Sequence, residues 1–307
     1  MIKTGSSKRL ITGASVAFIA AFALSSCASA PESAEEAIDE VAEEVTTEAE
    51  TEEQEQSTLE RAIERGYIRV AIANEPPYTS VSAGGEVSGA EPDVAREVFK
   101  RLGIDEIQGT VTEYASMIPG LQADRWDAVT AGLFMNPERC EQVSYSEPVI
   151  VSTESFAVPT GNPGGLTTIQ GILDDPDVSV SALAGAYEEN LLLDAGVPES
   201  QLVPVQDARS GMEAVESGRA DAFMLPTLSL NDIAPDHPGL EITAFIQDVP
   251  PAGSGIAFRL EDSDLRDAYN AELIEFRETD EFREIMTGWG FDPDAGAATS
   301  MEELCAG

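Results

Sequence analysis

The chain has 307 residues, 42% hydrophobic and 6% aromatic, with a formal net charge of -40 at pH 7. Gripping nucleic-acid phosphates needs a basic surface, so nucleic acid is excluded as a partner. Beyond the first nine residues the bases are thirteen Arg and one Lys, Lys100, which fits either a protein facing high salt or an ordinary acidic extracytoplasmic protein; composition leaves both open.

Lys3, Lys8 and Arg9 precede an apolar run from Leu10 to Leu24, which ends in "LSSC", Leu24 to Cys27. A basic start, a short apolar stretch and small residues before a cleavage point read as a secretory signal, and the run is too short for a membrane span. The Leu-small-small-Cys ending resembles the bacterial lipobox. That implies a signal over residues 1–27, with Cys27 as the lipidated first residue of the mature chain. Two acyl chains suffice for stable anchoring, so an extracytoplasmic protein tethered to the bacterial membrane is expected. The next stretch, residues 31–57, carries twelve Asp or Glu and no Lys or Arg. Self-repulsion and scarce apolar residues make residues 28–57 a disordered acidic linker.

From residue 58 the pattern becomes globular. "STLERAIERG" has a Ser or Thr cap and a Gly stop, so it reads as a helix. "YIRVAIA" is a strand, "NEPPYTSVSAGGEVSG" a turn-rich loop, and "EPDVAREVFKRLG" a helix with Pro92 in its first turn and Gly103 past its end. Val94, Val98, Phe99 and Leu102 share its core-facing side. "IQGTVTEY" is a strand, "SMIPGLQADR" a helix, "WDAVTAGLF" a strand and "PERCEQV" another helix. After "VIVSTESFAV" the rhythm repeats. Strands "DVSVSALAG", "QLVPVQD" and "ADAFMLP" alternate with helices "YEENLLLDAG" and "SGMEAVESG", and "LEITAFIQ" follows. Strand "GSGIAFR" then leads to a helix near Ser263–Thr279 and a shorter one near Asp280–Met286. Such alternation predicts α/β architecture with largely parallel sheets, in two successive blocks.

Two cysteines remain in the body, Cys140 and Cys305. Arg139 beside Cys140, in "FMNPERC", is compatible with an activated thiol. In an oxidising compartment, however, an even pair argues for one disulfide.

Three stretches resemble extracytoplasmic solute-binding proteins of ABC importers, the polar-amino-acid type. They are "IRVAIANEPPYT", "GLQADRWDAVTAGLFMNPERCEQVSYSEP" and "LEDSDLRDAYNAELIEFRETDEFREIMTGWGF". "ANEPPYT", "FMNPERC" and the cysteine near the C-terminus resemble, more narrowly, the ectoine/hydroxyectoine-binding proteins. The resemblance implies a two-lobed, type II periplasmic-binding-protein-like fold with two crossover strands near Val151–Glu154 and Gln247–Ala252. Lobe 1 would span residues 58–152 and 250–307, and lobe 2 residues 153–249. Cys140 and Cys305 would then share one lobe, leaving the hinge free.

Ligands of open α/β sheets bind beyond the carboxyl ends of strands. Glu75 and Tyr78 follow the first strand, Tyr114 follows the second, Phe134 ends the third and Arg139 lies just past it. These five converge on one edge, and they match the positions of ligand contacts that the resemblance implies. Arg139 offers a planar fork for a carboxylate. Tyr78, Tyr114 and Phe134 would box a delocalised cation, Glu75 would accept its N–H bonds, and Tyr187 would add an aromatic wall. The family's amino-acid binders carry a second-lobe aspartate a few residues after a "DA" like that in "GRADAFMLP". Here Pro226 stands at that place, which argues against a standard α-amino acid.

The expected ligand is therefore a small zwitterion such as ectoine or hydroxyectoine, with a betaine or another polar or cyclic amino acid as the alternative. ABC permease subunits are the expected partners of a monomeric protein, and no cofactor or metal is implied. A dehydratase-type enzyme on the same fold would have only Glu75 as an evident acid or base, so no enzymatic activity is expected. A sensor ectodomain would need a separate partner. Trp126 and Trp289 are read as core, and His237 as a loop residue without a role.

Overall fold

A computed structural model describes residues 56–306. The leader, Cys27 and the acidic tract as far as residue 55 lie outside the described residues.

The first lobe opens with helix α1 (Thr58–Arg65) and strand β1 (Tyr67–Ile72), followed by a hairpin of β2 (Ser80–Val81) and β3 (Val87–Ser88). Ser57 and Glu60 form a reciprocal capping box on α1, and Gly66 ends it in the left-handed conformation, so both helix ends are satisfied locally. Helix α2 (Ala90–Arg101), strand β4 (Glu106–Val111), helix α3 (Tyr114–Gln122), strand β5 (Ala128–Val129), the single turn α4 (Pro137–Cys140), and strands β6 (Ser144–Tyr145) and β7 (Ile150–Ser152) complete this pass.

The second lobe runs β8 (Glu154–Pro159), α5 (Ile169–Leu173), β9 (Val180–Leu183), α6 (Tyr187–Asp194), β10 (Leu202–Val205), α7 (Ala208–Glu216), β11 (Ala222–Pro226), α8 (Thr227–Ile233) and β12 (Leu240–Ile242). The chain then returns through β13 (Ala252–Ser254) and β14 (Ala257–Phe258) to α9 (Ser263–Arg277), α10 (Asp280–Gly288) and α11 (Met301–Ala306).

The strands make two five-stranded sheets, in the orders β4-β1-β5-β14-β6 and β10-β9-β11-β8-β12, with β7 paired to β13 as a separate ribbon between them. This is the type II periplasmic-binding-protein fold. The sheets are mixed rather than largely parallel. Strand β14 runs antiparallel to β5 and β6, and β8 runs antiparallel to β11 and β12. Both exceptions have one cause: β8 and β14 are the strands by which the chain enters a lobe from the ribbon, so they point opposite to the strands built by local strand–helix units.

Alternation along β1 divides the core of the first lobe. Ile68, Val70 and Ile72 pack with Val94, Val98 and Phe99 of α2, while Ala71 faces Met117, Leu121 and Trp126 on the other side. In the second lobe Phe156, Val180 and Met224 face one layer, and Ala157, Phe223 and Leu225 face Met212, Val215 and Leu230 in the other.

Two sequence expectations change, and a third residue is more enclosed than its loop position suggests. "WDAVTAGLF" is a strand only at Ala128–Val129, because Gly132 takes φ 64° and turns the chain. Trp126 is core, its Nε1 donating to Met117 O at 3.0 Å, but Trp289 is only partly buried and donates to Asp93. His237 does lie in a loop, but it is buried at 4% exposure with Nδ1 3.1 Å from Glu216.

Cys140 of α4 is bonded to Cys305 of α11, with Cα atoms 5.8 Å apart and a sequence separation of 165. Both helices pack on the first lobe. The pairing leaves no thiolate beside Arg139. Cross-linking across such a span restricts the unfolded chain, an effect on the order of 5 kcal/mol. Replacing Cys305 with Ser is expected to lower the urea midpoint substantially; an unchanged midpoint would show that the bond does not form in solution.

Candidate functional site

The six residues singled out in the sequence line a single cavity between the lobes. Glu75, Tyr78, Tyr114, Phe134 and Arg139 come from the first lobe and Tyr187 from the second. Gly132, Ala186, Glu188 and Pro226 complete the lining. The lobes are drawn so close that the cavity measures about 10 Å³, room for roughly one water molecule. Admission of any solute therefore requires the lobes to part.

Arg139 is 5% exposed. The α4 turn that carries it starts at Asn136, whose Oδ1 accepts from the Arg139 backbone N–H at 2.8 Å, and Pro137 takes the first helical position. A one-turn helix has almost no dipole to oppose the cation. The guanidinium donates to Phe134 O at 2.7 Å and, across the lobes, to Gly185 O at 3.1 Å. Gly185 makes this approach possible: at φ 73°, a Cβ there would lie 2.7 Å from Ala115 of the opposite lobe.

The aromatic rings meet edge to face. Phe134 sits between Tyr78 and Tyr187, at centroid distances of 5.8 and 5.5 Å. Tyr114 opens α3 rather than ending a strand, and its hydroxyl lies 2.9 Å from Ala131 O and 3.2 Å from Glu75. Burial and nearby carboxylates push the phenols up, Tyr187 to about 12 and Tyr78 and Tyr114 well above the usual phenol range, so all three stay neutral at physiological pH.

Glu75 is 5% exposed, and its carboxylate accepts from Ser229 Oγ across the lobes at 2.7 Å. Burial raises its pKa, while the Ser229 and Tyr114 hydroxyls pull it back. Two further acids, missed in the sequence, come from the second lobe. Glu188, 3% exposed, lines the cavity, and Glu154, 1% exposed, neighbours Glu188. Burial, then the charge of Glu75, pushes Glu188 up to about 8; burial with Glu188 and Glu75 nearby pushes Glu154 well above the carboxylate range. Glu188 falls in the first turn of α6, where an acid is ordinary, and Glu154 begins a strand. Nothing in their local pattern marks a site. Pro226 lines the same cavity, and the carboxyl that the second lobe brings there comes from α6.

Behind the site, Glu91 of α2 accepts from Gly132 N at 2.9 Å and from Ser254 Oγ at 2.5 Å. It thereby pins the Gly132 turn to the return strand. Outside the cavity an open groove of about 920 Å³ runs between the lobes, and Asp232 lines it rather than the cavity.

The described fold agrees with what comparison with known proteins finds. A family description, "Bacterial extracellular solute-binding proteins, family 3", matches residues 68–292. The chain belongs to this family. It is 37% identical over 253 residues to a probable amino-acid ABC transporter periplasmic-binding protein, y4tE, of Sinorhizobium fredii, covering 79% of this chain and 84% of that one. It is 25% identical to the ABC transporter arginine-binding protein 1 of Escherichia coli, covering 71% and 87%. Among solved structures, EhuB in complex with hydroxyectoine superposes with a TM-score of 0.79 at 47% identity, covering 81% of this chain and 97% of that one. The chain is thus a solute-binding protein of the amino-acid ABC-transporter type. Proteins of this type pass small ligands to permease subunits outside the cytoplasm and are not enzymes.

Gly132 backs directly onto the aromatic wall: a Cβ there would lie 2.8 Å from Tyr78 Cδ1. Gly132→Ala is expected to cost roughly 1–2 kcal/mol in backbone strain and to displace Tyr78. Chemical unfolding reads the first effect and Tyr78 ring shifts in NMR read the second; a variant of native stability with an unmoved ring would contradict the packing described.

Proposed function

We propose that this solute-binding protein captures ectoine, hydroxyectoine or a similar small zwitterionic compatible solute between its lobes and delivers it to the permease of an ABC importer. The observation that carries this reading is the opposition of one buried guanidinium, Arg139, to the carboxyls of Glu75 and Glu188 across a space walled by Tyr78, Phe134 and Tyr187. A ligand carboxylate would take the Arg139 fork, replacing the backbone carbonyls it now grips. A delocalised ring cation would lie against the aromatic faces, with Glu75 and Glu188 accepting its N–H bonds. The likeness to a hydroxyectoine-bound protein at 47% identity supports the same class. We propose further that Cys27 carries a lipid anchor, that the Cys140–Cys305 bond is the resting state in an oxidising compartment, and that the protein acts as a monomer, with lobe 1 as residues 58–152 and 250–307 and lobe 2 as residues 153–249.

A second reading has its own support. The cavity carries more carboxyl than guanidinium, and one relative is an arginine-binding protein. A cationic amino acid would use that surplus.

Titration calorimetry with ectoine, hydroxyectoine, glycine betaine and arginine separates these readings. Ectoine or hydroxyectoine is expected to bind most tightly, and no heat from either at millimolar concentration would overturn the substrate claim. Arg139→Ala removes a buried charge-assisted pair, so affinity is expected to fall on the order of 100-fold or more; retained affinity would remove Arg139 from the site.

A further inference from the structure

The acids of the second lobe pose an electrostatic problem that ligand contacts alone do not answer. Glu154 is 1% exposed, and neither of its carboxyl oxygens has a hydrogen-bond donor. An ionised carboxylate in that position is among the costliest groups to bury. Its neighbour is another carboxyl, Glu188, within hydrogen-bonding reach and itself 3% exposed.

Every element packed around the pair adds to the problem or leaves it unsolved. The loop after β1 brings a third carboxyl, Glu75. Tyr78 is occupied with Ser152, and Tyr114 with Glu75 and Ala131. Tyr187 is held neutral by burial and then by the same acids. Arg139 is the one cation facing the cavity among the described residues, and its hydrogen bonds go to Phe134 and Gly185. Three carboxylates against one guanidinium would leave the closed cleft two charges negative. A proton between the two second-lobe carboxyls removes one of those charges and gives Glu154 the donor it lacks.

We propose that Glu154 and Glu188 share one proton in the closed protein, and that this pair sets the ligand charge the cleft accepts. With the proton in place, the cavity presents Arg139 to an anion and about two carboxylate charges to a cation. A zwitterion of no net charge then leaves one negative charge uncompensated in the closed cleft, against two without the proton. Loss of the proton adds a buried negative charge and shifts preference toward ligands of net positive charge. The ligand part of this inference rests on the zwitterion reading above; the shared proton does not.

The sign of the linkage follows from folded groups that hold a proton longer than their unfolded counterparts. Their stabilising effect is fully present below the ordinary carboxylate range and is lost as pH rises through about 8, the value to which Glu188 is pushed. Glu91, pushed up to about 7 by burial, gives a slope of the same sign, so the comparison must be between the wild-type chain and variants of the pair.

Thermal unfolding of the ligand-free chain from pH 5 to pH 9 is the test, with Glu154→Gln, Glu188→Gln and the double variant. Each single variant is expected to flatten the fall in Tm above pH 6 and to raise Tm at pH 8 by a few degrees. The double variant is expected to gain less than the two singles together, because a shared proton needs both partners. Infrared spectra at pH 7 supply a second readout: a protonated-carboxyl band in the wild-type chain that weakens in both single variants. Wild-type slopes in both variants, or additive gains with no change in the band, would overturn the shared proton. A third arm follows ectoine and arginine affinity from pH 6.5 to 8.5. The ratio is expected to shift toward arginine in the wild-type chain and to stay level in Glu154→Gln; a level ratio in both would overturn the charge-selection half. If ectoine does not bind at all, the zwitterion reading fails, while the unfolding and infrared results still decide the pair.

Discussion

The cleft is organised around the burial of a single guanidinium. Arg139 sits between two lobes at 5% exposure and grips a carbonyl from each, Phe134 O and Gly185 O. A buried charge must be paired or hydrogen-bonded, and here the partners come from opposite sides of a hinge. Closure is thus built into the solvation of Arg139: parting the lobes removes the Gly185 carbonyl, and only water or a ligand anion can replace it. The Glu75–Ser229 bond repeats the device with the charge reversed. Both lobes therefore contribute to keeping each charge satisfied, which is how a cleft can prefer the closed form when the right solute is inside.

The rest of the first lobe holds that guanidinium and its aromatic neighbours in place. Glu91 fastens the Gly132 turn from behind, Gly132 allows Tyr78 to approach, and Phe134 is fixed by its bridge to Ser254 on the return strand. The Cys140–Cys305 bond ties the α4 turn to the last helix of the same lobe. None of these restraints crosses the ribbon of β7 and β13; the bonds that join the lobes are those of Arg139 to Gly185 and of Ser229 to Glu75. Just beyond the ribbon, Thr153, Ser155 and Thr227 form a small hydroxyl cluster that ties the start of β8 to the start of α8.

Much of this was legible before any coordinates. Strand–helix alternation gave both sheets, and the rule that ligands gather at the carboxyl ends of strands brought Glu75, Tyr78, Tyr114, Phe134 and Arg139 to one edge. What the sequence concealed was the opposing lobe. Glu188 falls where a helix start favours an acid, and Glu154 where a crossover strand ends in the sequence reading; nothing local marks either as a buried acid. The shortening of "WDAVTAGLF" was hidden for a related reason, since a run of apolar residues does not reveal that Gly132 turns left-handed. Pro226 stands at the place of the family's second-lobe aspartate, and nothing in its surroundings revealed that Glu188 of α6 would line the same cavity.

A crystal structure of the chain grown with hydroxyectoine tests the central claim most directly. The expected result places the ligand carboxylate on the Arg139 fork, its ring against Tyr78, Phe134 and Tyr187, and its cation facing Glu75 and Glu188. Hydroxyectoine absent from the cleft, or bound with its carboxylate away from Arg139, would contradict it.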